Sequence, residues 1–131
     1  MKKKKGFTLI ELIIVIAILA LLIAIAIPRY QRSNLSAQAT AHNANVRVIK
    51  NAAILYSMDH PEVKDKEIDM DKIKPYLESE EVPKPAKALN KDAFTVKAEN
   101  GNIVVEPGMV RINEDNKLVS DASRPEESKQ K

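Results

Sequence analysis

The sequence predicts an α+β fold: one long N-terminal helix, apolar all round in its first half and amphipathic in its second, packed against a small antiparallel sheet of three or four strands. Three observations predict it. From Phe7 to Ile27 the chain runs through 21 residues with a single charge, Glu11. Beyond Pro28, apolar residues recur at steps of three and four, the period of a helix with one buried face. From Phe94 onward the period changes to two, the signature of strands with one face covered.

The apolar run is constrained first by its length. At a rise of about 1.5 Å per residue it spans about 31 Å, the thickness of a bilayer's hydrocarbon core. A secretory signal is the rival reading, with Ala24 and Ala26 as a small-residue cleavage site. Such signals have shorter apolar regions, about 7–15 residues. Lys2, Lys3, Lys4 and Lys5 precede the run and hold the N-terminus in the cytoplasm, so that residues 29–131 face outward.

Glu11 does not belong in a plain anchor. A carboxylate in hydrocarbon costs about 2.5–3.5 kcal/mol on insertion scales, so it either sits near the headgroups or meets a partner. If the chain is cut after Gly6, Phe7 becomes a free, positively charged N-terminus with the unpaired N–H groups of a helix start beside it. Glu11 then lies one helical turn inside that positive end. Desolvation offsets much of the attraction within a buried ion pair, so such a pair serves register better than stability.

These residues carry a family resemblance. Lys5-Gly6-Phe7-Thr8-Leu9-Ile10-Glu11, an aliphatic helix and Ile27-Pro28 resemble the class III leader and N-terminal helix of type IV pilins and of the pseudopilins of competence and type II secretion systems. The match covers residues 4–30. It implies a pilin-like lollipop, cleavage between Gly6 and Phe7 by a prepilin peptidase, N-methylation of the Phe7 amine, and packing of the helices in a filament core. Glu11 falls on the family's glutamate, which meets the N-terminal amine of an adjacent subunit in assembly, and Thr8 on the matching position beside it. Pro28 falls on the proline at which the family's helix bends. Many relatives have glycine where this chain has Ala20, and alanine favours helix by about 1 kcal/mol, which argues for less melting between Ala20 and Pro28.

The implied domains are a leader at 1–6, a membrane and filament-core helix at 7–28, an amphipathic helix at 29–60, a small head at 61–119 and a flexible tail at 120–131. Of 21 Lys and Arg, four belong to the leader, leaving 17 against 18 Asp and Glu. The basic balance therefore lies in the discarded part, and direct nucleic-acid binding is not expected. With no cysteine, no disulfide staples the exported part.

In the second half of the helix, Ala37, Ala41, Ala44, Val48, Ala52 and Leu55 form the expected buried stripe, widened by Ile49, Ala53 and Tyr56. It is expected to pack on its own domain, with His42 a surface or packing residue. Asp59-His60-Pro61 ends the helix, since the residue before proline leaves the helical region. Asp69 is placed to cap a short helix over 69–74. Glu62–Glu67 is expected as a charged loop and Val82–Pro85 as an extended linker. Asn100-Gly101 between two alternating runs predicts a hairpin, and Met109–Ile112 with Lys117–Val119 a second one.

No catalytic motif appears, and with three glycines, two histidines and no cysteine the chain is not expected to be an enzyme or to hold a cofactor or metal. Asp69-x-Asp71 and Asn113-x-Asp115 have the spacing of calcium-loop ligands but serve equally as caps and turns. Asn34-Leu35-Ser36 is a glycosylation triplet of low specificity.

The reading that joins these features is a structural subunit of a type IV pilus or pilus-like filament, the resemblance favouring a major pilin with roles in adhesion and motility. It would be held as a single-pass protein in cytoplasmic membrane lipid with its C-terminus outside. Processing by prepilin peptidase would precede polymerisation, by an ATPase-driven assembly platform, into an extracellular or periplasmic homopolymer. A competence or secretion pseudopilin, and a non-polymerising membrane-anchored binding domain, are the alternatives.

Overall fold

The computed structural model describes residues 6–79 and 81–121. Helix α1 spans Leu9–Asp59. It is followed by strand β1 (Glu67–Ile68), the short helix α2 (Met70–Ile73), and strands β2 (Thr95–Glu99), β3 (Asn102–Glu106), β4 (Val110–Ile112) and β5 (Leu118–Ser120). The chain divides into two units between Asn34 and Leu35, and α1 contributes to both.

In the first unit α1 is aliphatic from Leu9 to Ile27 apart from Glu11, and contains no glycine, the residue that most weakens a helix interior after proline. Pro28 has no N–H to give the Ala24 carbonyl, yet the helix continues through it. The described residues of this unit are all exposed, including Leu19 and Ile23 at about half their full area. By length and composition the helix is apolar enough to cross a membrane. Of the expected leader at 1–6, only Gly6 lies among the described residues.

The second unit holds the core. Val46, Ile49, Ala52, Ala53 and Tyr56 of α1 pack against Ile68, Ile73, Phe94, Val96, Ala98, Ile103 and Val105. The α+β architecture is the one the sequence predicts: a long helix against small antiparallel sheets. The β2–β3 hairpin sets the register, with Val96 opposite Val105 and Ala98 opposite Ile103 on the buried face. Asn100 and Gly101 turn it with φ of 51° and 82°, the two left-handed positions of a tight hairpin turn.

Among the described residues there are five strands rather than three or four, arranged as two sheets, β1-β2-β3 and β4-β5. The additional strand is β1, which lies where a charged loop was expected. Glu67 pairs with Lys97 and Ile68 with Val96. Two residues are too few to show a period in sequence, and what fixes them is Ile68, buried in the core. Val110–Ser120 is the outermost pair of the second hairpin, so Ser120 belongs to β5 rather than to a tail. Residues 122–131 lie outside the described residues.

The buried face of α1 keeps part of the expected stripe, Ile49, Ala52, Ala53 and Tyr56, and departs from the rest. Ala39, His42, Val46, Ile49, Ala53 and Tyr56 point inward, together with Ala52. Ala37, Ala41, Ala44, Val48 and Leu55 remain exposed, Val48 at 46% and Leu55 at 52%. The inward line is shifted by one residue, about 100° around the helix, from the line that apolar counting picks out. His42 is the cause: it is 1% exposed and sits in the middle of the buried line, where a search for apolar side chains sees a gap.

Two short elements are held as their sequences require. Asp69 accepts from the Asp71 N–H and so caps α2, and Asn113 accepts from the Lys117 N–H and so closes the β4–β5 turn. Asn34-Leu35-Ser36 lies within α1.

Candidate functional site

The site to be tested is the start of α1. Gly6, Phe7 and Thr8 precede the helix and take no regular structure, and Phe7 is 90% exposed. A Cβ at Gly6 would meet no atom of the described residues within 4 Å.

Thr8 is the N-cap. Its hydroxyl accepts from the Glu11 N–H at 3.2 Å, while the Glu11 carboxylate accepts from the Thr8 N–H at 2.9 Å. Its carbonyl accepts the first helical hydrogen bond, from the Leu12 N–H at 3.2 Å. This is a reciprocal capping box, which satisfies two donors that a helix start otherwise leaves unpaired. The signal for it is Thr8-x-x-Glu11 in the sequence, the spacing of a capping box, which the charge of Glu11 in an apolar run masks. Thr8, Glu11 and Phe7 are thus brought together within one turn, whereas Pro28 lies about five turns further along the same helix. A carboxylate at a helix N-terminus also meets the positive end of the helix dipole.

The geometry of a polar, capped start on an otherwise apolar rod agrees with what comparison finds. The family described as the prokaryotic N-terminal methylation motif matches residues 1–27. The N-terminal part of the chain is similar to that of several fimbrial proteins and type IV pilins. A fimbrial protein of Pseudomonas aeruginosa is 53% identical over 53 residues, which is 40% of this chain and 34% of that protein. The fimbrial protein EcpB of Eikenella corrodens is 63% identical over 38 residues, 29% of this chain and 24% of its own length. The type IV major pilin protein PilE1 of Neisseria gonorrhoeae is 44% identical over 57 residues, 44% of this chain and 34% of that pilin. The chain thus spans about a third of the length of the first of these curated relatives. No solved structure matches.

Proposed function

We propose that this protein is a structural subunit of a type IV pilus or pilus-like filament, the major subunit of a homopolymer. Residues 1–6 form the leader, the Gly6–Phe7 bond is the cleavage point, and the Phe7 amine is the methylated group. The divisions at 7–28, 29–60 and 61–121 are those of rod, amphipathic helix and head, with Ser120 the last residue of β5. Before assembly the rod rests in cytoplasmic membrane lipid, with the head outside. Prepilin peptidase and an ATPase-driven platform process and lift it.

One observation supports this reading above others: an apolar rod whose sole charge is held at its capped start. In lipid such a carboxylate is costly, and a plain anchor has no use for it. In a bundle of rods it can meet the positive Phe7 amine of a neighbour and fix the axial offset between copies. Thr8 positions it, and Pro28 lets the rod bend as copies pack.

The test separates charge from capping. Glu11→Gln can still cap, because glutamine also closes a capping box, but it carries no charge. Both Glu11→Gln and Glu11→Ala should be cleaved normally, and both should fail to yield sheared filaments. The mass of the wild-type protein from cells should lack residues 1–6 and carry one added methyl group. Normal filaments from Glu11→Gln would remove the charge mechanism, and an intact leader in the wild type would favour a non-polymerising anchor.

A further inference from the structure

The second hairpin is attached to the rest of the head in an unusual way. Among the described residues β4 pairs only with β5, and neither joins the β1-β2-β3 sheet. In place of a strand, a helix side chain occupies the other edge of β4. The Asn43 amide donates from Nδ2 to the Val110 carbonyl at 2.9 Å and accepts at Oδ1 from the Val110 N–H at 2.8 Å. It therefore makes both bonds that a paired strand residue would make.

His42 adds a second tie on the same turn of α1. Its Nε2 lies 2.8 Å from the Gly108 carbonyl and its Nδ1 accepts from the Ala86 N–H at 3.1 Å. A carbonyl only accepts and an amide N–H only donates, so these partners select the neutral ring with its proton on Nε2. The ring lies 5.2 Å from that of Phe94.

The apolar anchorage of the hairpin is small by comparison. Val110 is its one buried side chain among the described residues and lies outside the main core cluster, while half-buried Met109 at the start of the hairpin packs against that cluster. Ile112, Leu118 and Val119 are half-buried.

We propose that β4–β5, residues 109–121, is a flap that lifts from α1 as one unit while the β1-β2-β3 sheet and its core stay folded, with Asn43 as the latch. Segments with few buried apolar contacts open below the cost of global unfolding, and their amides then exchange together. This inference rests on unit 35–131 alone and does not depend on polymerisation. The flap is the part of the head free to change its posture without unfolding it.

Amide hydrogen exchange on the full-length protein in detergent tests this. In the wild type, Val110, Arg111, Val119 and Asp121 should exchange as a group, faster than Val96 and Val104, whose amides face paired strands. Asn43→Ala, which removes both bonds, should speed that group by about tenfold and leave Val96 and Val104 unchanged, the loss of a net hydrogen bond being worth about a factor of ten. Asn43→Asp keeps the size and one acceptor but sets a carboxylate against the Val110 carbonyl, and should do the same. If Asn43→Ala unfolds the head outright, the wild-type comparison and Asn43→Asp still decide. Uniform acceleration across all five strands, or wild-type exchange of the hairpin at the rate of Val96, would overturn the proposal.

Discussion

Thr8 and Glu11 each bind the other's backbone across the first turn of α1, at 3.2 and 2.9 Å. In the lone chain the Glu11 carboxylate is therefore already engaged, within its own subunit. Any bond to a neighbour's amine must compete with the Thr8 N–H or share the carboxylate's second oxygen. The cap also fixes where the helix begins, two residues beyond the Gly6–Phe7 bond, so that this bond lies in non-helical chain.

Deleting the Thr8 hydroxyl should loosen that start. Thr8→Val retains the shape of the side chain but leaves the Glu11 N–H without its acceptor. N-cap removal costs about 1 kcal/mol, within a range of roughly 0.5–2. In micelles, amide exchange at Glu11 and Leu12, the amides that Thr8 holds, should rise by about fivefold, while Thr8→Ser should match the wild type. Equal protection in all three proteins would mean that the hydroxyl does not hold the helix start.

The sequence disclosed elements whose cause is local. The Asn100-Gly101 turn, the Asp69 cap and the end of α1 at Asp59 each depend on a residue or two and were placed correctly. What it hid depends on partners far along the chain. His42 reads as a polar interruption until Gly108 and Ala86, 66 and 44 residues away, satisfy both ring nitrogens. Asn43 reads as solvated until Val110 supplies a donor and an acceptor. These two residues turn the buried face of α1 away from its most apolar line, which is why Ala41 and Val48 lie outside and Val46 and Ile49 within. At the N-terminus the Thr8–Glu11 capping pair is local, its two residues three positions apart in the sequence.

That rotation can be checked with two neighbouring residues. Ile49 is fully buried, whereas Val48 beside it is 46% exposed. Ile49→Ala should destabilise the head by about 2–5 kcal/mol, the usual range for emptying a buried isoleucine site. Val48→Ala should change it by less than about 0.5 kcal/mol, as for surface positions without special contacts. Denaturant unfolding of the full-length protein in detergent measures both. Similar losses from the two substitutions would show that the head packs on the other stripe.

At the far end of α1 the Tyr76 hydroxyl donates to the Asp59 carboxylate at 2.6 Å, and the Tyr76 ring meets Tyr56 edge-on at 5.9 Å. The hydrogen bond to Asp59 raises the phenol above its ordinary value, with desolvation and the nearby charge acting in the same direction. Losing the phenolic proton would set two negative oxygens against each other. Because the folded value is the higher one, the bond's contribution to stability is whole below the ordinary phenol range, near pH 10, and disappears as pH rises through the folded value. The ultraviolet titration of Tyr76, isolated by difference against Tyr76→Phe, should have its midpoint on the alkaline side of an ordinary tyrosine. Asp59→Asn should move that midpoint back toward the ordinary value, since the amide brings no negative charge. An unchanged midpoint in Asp59→Asn would show that the carboxylate does not hold the Tyr76 proton in solution.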